Sequence, residues 1–163
     1  MGLGAALWQE LVGGFPDNIE MARIAVRLLF AIILGGILGF QRAEAGKAAG
    51  MRTHMLVTLG AAIVVLLPHL TGMSSADLSR IIQGTLTGIG FIGGGVILKM
   101  SEQHQIVGIT TAASIWLTVT IGIATGTGRL GLALVGTMLA FIILTAFGWL
   151  ERQMIAKGKW PGD

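Results

Sequence analysis

"GTLTGIGFIGGGVILK", residues 84–99, decides how the rest of the chain is read. Gly88, Gly90 and Gly93 spell G-x-G-x-x-G, the spacing of a dinucleotide-binding turn. Such a turn needs a strand before it, a helix after it and an acidic residue about 20 positions on to hold the ribose. Arg80 to Gln83 show no strand pattern, the stretch stays apolar through Leu98, and from Ile106 onward no Asp or Glu occurs before Glu151. The glycines therefore serve something other than a nucleotide, and no cofactor is expected.

Composition supplies the alternative. Of 163 residues, 53% are hydrophobic and 12% charged, against about 25% charged in a soluble domain. Glycine accounts for 26 residues, roughly twice its ordinary share. An integral membrane protein with closely packed helices fits these values. There is no cysteine, which excludes disulfides and thiolate metal sites. Eleven basic residues against eight acidic ones is a small excess spread over short loops. Nucleic acid would demand a clustered basic stripe, so the bilayer and not nucleic acid is the expected partner.

Five apolar stretches have the length to span a bilayer: residues 21–40, 55–70, 78–98, 106–125 and 130–150. The fold class is thus all-α and polytopic. Asp17 to Glu20 and Ser74 to Asp77 read as helix starts, each an N-cap with an acidic residue three positions on. Residues 1–20 form an N-terminal segment whose Leu3, Leu7, Trp8, Leu11, Val12 and Phe15 make an amphipathic stripe suited to the interface. Residues 21–150 form the membrane domain and 151–163 a short tail, with no soluble C-terminal domain expected.

Five spans put the termini on opposite sides. With the N-terminus outside, the inner side holds Arg42, Lys47, Arg52, Lys99, Arg152, Lys157 and Lys159, and the outer side Arg23, Arg27, Arg80 and Arg129. Seven against four predicts N-out and C-in. Within the spans, Gly35 with Gly39, Gly84 with Gly88, Gly90 with Gly94 and Gly122 with Gly126 are small-x-x-x-small pairs that let helix backbones approach. With Gly93 and Gly95 added, the density over 84–95 predicts that the third span is the central packing element and a surface for a homodimer.

A shift of 58 residues lays Gly35, Gly36, Glu44, Gly50 and Thr53 on Gly93, Gly94, Glu102, Gly108 and Thr111. This is the pattern of a parallel two-hairpin repeat, with its two inner loops facing one another. The candidate functional residues gather at those loops and helix ends: Arg42, Glu44, Arg52, Thr53 and His54 from the first hairpin, Lys99, Thr110, Thr111 and Trp116 from the second. Thr110, Ser114 and Thr118 give one helix a polar stripe. Asp77, Arg80 and Gln83 open the third span, where an Asp77–Arg80 pair is expected. No catalytic triad and no metal cluster can be read, so neither an enzyme nor a metalloprotein is expected.

Three blocks, "GGILGFQRAEAGKAAGMRTHMLV" (35–57), "SRIIQGTLTGIGFIGGGVILK" (79–99) and "VGITTAASIWLTVTIGIATGTG" (107–128), resemble the MgtC/SapB family of bacterial inner-membrane proteins. The resemblance covers residues 24 to about 130 and rests on A-G-x-R-T-H, G-I-G-F-x-G-x-G and G-x-T-T-A-A-x-x-W in that order. It implies the bacterial plasma membrane, about five helices, and links to magnesium limitation, stress adaptation and virulence. It further implies a regulator of other membrane proteins such as the F-type ATP synthase, or a transporter of Mg²⁺ or another small solute. The family commonly has Glu-Arg where this chain has Gln41-Arg42, and many members carry a further soluble domain.

Overall fold

The computed structural model describes residues 2–13, 17–99 and 107–157. Among the described residues seven α-helices follow in order: α1 Leu3–Val12, α2 Asn18–Glu44, α3 Met51–Leu70, α4 Ser75–Lys99, α5 Ile109–Gly126, α6 Leu130–Ile142 and α7 Gly148–Ala156. A π-helical turn, Ile143–Phe147, joins α6 to α7 in one continuous rod. No strand occurs among the described residues. The chain is an all-α, polytopic membrane protein, as its composition requires. Helices α2, α3, α5 and the α6–α7 rod are long and apolar enough to cross a bilayer. Helix α4, at 25 residues, extends about 37 Å at the rise of an α-helix and has the length as well.

Both expected N-caps form. Asp17 accepts a hydrogen bond from the Glu20 amide at 2.6 Å. Ser74 Oγ accepts from the Asp77 amide at 3.2 Å, while the Asp77 carboxylate accepts from the Ser74 amide and hydroxyl at 3.2 and 2.7 Å. This reciprocal box satisfies donors that the first helical turn leaves over. It also occupies the carboxylate expected to pair with Arg80, so Asp77 serves its own helix start instead. On α1, Leu3, Leu7 and Trp8 are exposed, as is every other side chain described on that helix. The remaining stripe positions, Leu11, Val12 and Phe15, lie outside the described side chains.

The 58-residue shift reappears in the starts of α3 and α5, whereas their ends lie 56 residues apart. Helix α3 begins at Met51 after Gly50, and α5 begins at Ile109 after Gly108. Both end on a Thr-Gly pair, with Gly72 at φ 67° and Gly128 at φ 78°. That left-handed turn closes each helix at little steric cost only because glycine has no Cβ.

The centre of the bundle is α5, not α4. Helix α5 packs against α2, α3, α4 and α6. Its Ile121 joins Leu34, Leu38, Ala133 and Ala140 in one apolar core, while its Ile115 and Val119 join Ala49, Ala61 and Ile89 in another. The glycines that bring helices together are Gly35 and Gly39 on α2 and Gly122 and Gly126 on α5. A Cβ added at Gly122 would lie 2.5 Å from the Thr58 carbonyl oxygen, and one at Gly126 2.5 Å from that of Ala62. At Gly84, Gly88, Gly90, Gly94 and Gly95 an added Cβ meets nothing within 4 Å, and at Gly93 only Ala112 at 3.6 Å. Glycine density thus misnamed the central helix. The pairs that pack have backbone opposite them, and those on α4 face outward or into open space.

Candidate functional site

Helix α2 turns Ile24, Ala31, Leu34, Gly35, Leu38, Gly39 and Arg42 inward. The stripe is apolar or small until its last position. Val26, Leu29, Ile33, Ile37 and Phe40 occupy the opposite, exposed face, which suits contact with lipid. Arg42 therefore enters the bundle because it falls in register with the packing glycines, one turn before Gly46 ends the helix at φ 67°. A positive charge here also complements the negative end of the α2 dipole.

Close approach of α2 and α3 shapes the site. A Cβ at Gly39 would stand 2.5 Å from Met51 Cα and 3.0 Å from both the Gly50 carbonyl and His54 Cβ. At Gly35 it would collide with Thr58 Oγ1 and the His54 carbonyl. With the two backbones in contact, His54, fully buried, and Arg42, 3% exposed, both reach α5. Arg42 Nη2 donates to Thr111 Oγ1 at 2.9 Å. His54 Nδ1 lies 3.0 Å from the Gly50 carbonyl, which only accepts, so this nitrogen carries a proton. Its Nε2 is 3.4 Å from Ser114 Oγ, whose single proton also reaches the Thr111 carbonyl at 2.8 Å.

Below this layer the buried hydroxyls serve their own helices. Thr58, Thr118, Thr125 and Thr137 each donate to the carbonyl four residues back, at 2.7 to 2.9 Å. Such back-bonding satisfies a hydroxyl in an apolar setting. Among the described residues, Arg42 Nε and Gln41 Oε1 are the buried side-chain polar atoms with no hydrogen-bond partner. Gln41 Nε2 donates to the Leu144 carbonyl at 3.1 Å, within the π-helical turn. A π turn disturbs the regular ladder of the helix, and the Gln41 amide answers a carbonyl of that turn. A cavity of about 510 Å³ opens beside them, with Gln41, Arg42, Lys47, Thr110, Glu151 and Arg152 in its wall.

The structure thus joins four of the residues singled out from sequence, Arg42, His54, Thr111 and Ser114, into one buried polar layer. Thr110 is exposed and lines the cavity, so the inward stripe on α5 runs through Thr111, Ser114 and Thr118 instead. Glu44, Arg52, Arg80 and Gln83 are exposed, Thr53 and Asp77 half-buried, and Trp116 points outward from α5. The side chain of Lys99, together with Glu102 and His104, lies outside the described residues. Sequence reading passed over Thr58, and named Gln41 only as a departure from a pattern. The inward stripe of α2 was the signal available for Arg42, and the cavity had none, because its wall comes from α2, α5 and the α6–α7 rod. No group of three or more His, Asp or Glu that could hold a metal ion occurs among the described residues.

The MgtC family model matches residues 28–153. Protein SrpB of Synechococcus elongatus is 38% identical over 148 residues, which cover 84% of this chain and 81% of SrpB. "Putative magnesium transporter YhiD" of Escherichia coli is 37% identical over 147 residues, 83% of this chain and 66% of YhiD. Protein MgtC of Brucella abortus is 37% identical over 123 residues, 76% of this chain and 50% of that protein. The chain therefore spans most of SrpB but only about two thirds of YhiD and half of the Brucella protein. No solved structure matches it. A match over most of the length, to a bundle with helices that can cross a bilayer, makes this chain a multi-pass membrane protein that belongs to the MgtC family.

Proposed function

We propose that this protein is a non-enzymatic, magnesium-linked regulator in a bacterial plasma membrane, acting by helix contact with other membrane proteins. The name carried by YhiD supplies the link to magnesium. The observation that carries the regulatory reading is the uncovered face of α4. Gly84, Gly88 and Gly95 lie on its exposed side with Arg80, Thr87 and Phe91, the last 87% exposed. Glycines that no helix among the described residues fills offer close backbone approach to a helix from elsewhere. The F-type ATP synthase, implied by the family resemblance, is the first partner to test, and a second copy of this chain is the other occupant.

A conduit for Mg²⁺ is the second reading, favoured by the same relative's name. Against it stands the chemistry of the interior. Mg²⁺ holds its waters and binds carboxylates or phosphates. The buried polar side chains among the described residues are Arg42, His54, Ser114 and five threonines, with no carboxylate. A guanidinium with no carboxylate partner among the described residues repels a dication; the Thr111 hydroxyl is taken by Arg42, and those of Thr58, Thr118, Thr125 and Thr137 are turned to their own helix carbonyls. We infer an N-terminus outside and a C-terminus in the cytoplasm from the positive-inside count, in which Arg42, Lys47, Arg52, Lys99, Arg152, Lys157 and Lys159 outnumber Arg23, Arg27, Arg80 and Arg129.

Liposomes containing the purified protein should pass Mg²⁺ no faster than empty vesicles, while cross-linking from position 84 or 88 in native membranes should capture a membrane protein. Saturable Mg²⁺ flux from the protein alone would replace the regulator with a transporter. Thiol reagents should reach Lys47→Cys only from the cytoplasmic side and Arg129→Cys only from outside.

A further inference from the structure

We infer that the cavity at the Arg42 end of the bundle binds a phosphate-bearing ligand. This site is separate from the α4 face and does not rest on the regulatory reading.

Arg42 supplies the first argument. Its guanidinium is almost wholly buried, and it donates to the neutral hydroxyl of Thr111. The ion pairs among the described residues are those of Glu20 with Arg23 and with His69, at the other end of α2, so none answers Arg42. A charge taken out of water without a counter-charge is costly. An anion in the adjoining cavity would offset that cost and give Arg42 Nε the acceptor it lacks.

The cavity wall points the same way. Arg42, Lys47 and Arg152 line it against one carboxylate, Glu151. Its volume of about 510 Å³ falls in the range of small-molecule pockets. Gln41 narrows the choice of anion. Because its Nε2 is held by the Leu144 carbonyl, its Oε1 is left as a buried acceptor without a donor. A ligand that offers only acceptors would leave Oε1 unanswered. A phosphomonoester with a P–OH, or a phosphodiester headgroup with a hydroxyl, offers both. Leu144, Phe147 and Leu150 make the remaining wall apolar, which accommodates the glycerol and chain roots of an anionic phospholipid as well as a free phosphate compound.

The full chain in phosphatidylcholine nanodiscs tests this in two arms. Phosphatidylglycerol is added in one, with retention read by native mass spectrometry, and inorganic phosphate is titrated in the other, with affinity read by calorimetry. Binding in the first arm assigns a lipid headgroup, and binding in the second a free phosphate. Lys47→Gln and Arg152→Gln, both at exposed rim positions, should each weaken binding about fivefold, and Glu151→Gln should strengthen it. Arg52→Gln, exposed but away from the cavity, should leave it unchanged. Silence in both arms overturns the proposal, as does an equal effect of Arg52→Gln and the rim variants. If wild type binds neither probe and Glu102→Gln binds one, the counter-charge belongs to the chain itself and the proposal also falls.

Discussion

Gly122-x-x-x-Gly126 on α5 and Gly84-x-x-x-Gly88 on α4 are the same motif with opposite outcomes. Across the first, α3 comes so near that an added Cβ would stand 2.5 Å from a carbonyl oxygen at either glycine. Beside the second there is nothing within 4 Å. A small-x-x-x-small pair states that a backbone is allowed to approach. It does not state which helix approaches, or whether that helix belongs to the same chain. The α5 pair is used inside the bundle, and the α4 pair meets none of the described residues.

The largest effect is expected at the closed seam. Gly122→Leu or Gly126→Leu forces α3 and α5 apart and should cost about 3 kcal/mol or more, read as loss of monodisperse protein in detergent. Gly88→Leu carries the same added volume into open space. Should it unfold the monomer as severely as Gly122→Leu, the contrast between the two helices is wrong.

Hydroxyls extend the comparison to polar groups. Thr111→Val takes from Arg42 its acceptor at 2.9 Å and should cost about 1–3 kcal/mol, measured as a fall in thermal stability. Thr87→Val on the open face removes a bond to its own helix carbonyl, and its expected cost stays below about 0.5 kcal/mol. Comparable losses from the two would mean that the buried layer contributes no more than an exposed hydroxyl.

The α4 start is next in size. Ser74→Ala removes one half of the capping box and should lower stability by about 1 kcal/mol, whereas Arg80→Gln should change it little, because Asp77 bonds to Ser74 and not to Arg80. A large loss from Arg80→Gln, rescued by exchanging the charges at 77 and 80, would restore the ion pair that the geometry argues against.

The smallest effect on stability is expected from Gly88→Leu, below about 0.5 kcal/mol for the isolated chain, together with a several-fold fall in cross-linked dimer or captured partner. Unchanged capture would move the contact surface away from α4.

Much of the architecture was legible. Helix α3 starts four residues before its apolar run because Arg52, Thr53 and His54 are tolerated in a first turn, and α5 begins at Ile109, three residues inside the apolar stretch 106–125. The site was legible in part. Arg42, His54 and Thr111 stood out as polar residues at helix ends, but exposed Arg52, Glu44 and Trp116 stood out equally, since polarity near a span's edge does not say which way a side chain turns.

Composition and pattern by themselves determined that this is an all-helical membrane protein, where α2 and α4 begin and which glycines permit contact. Those properties follow from the preferences of single residues and from the hydrogen-bonding demands that lipid places on a backbone. Only the tertiary structure decided that α5 is central, that the α4 glycines face outward, and that Gln41, Arg42, Lys47 and Arg152 share one cavity. Among apolar helices in lipid no hydrophobic difference marks the inner face. The choice of neighbour comes from shape fitted across residues far apart in the chain, such as Gly122 against Thr58 and Gln41 against Leu144.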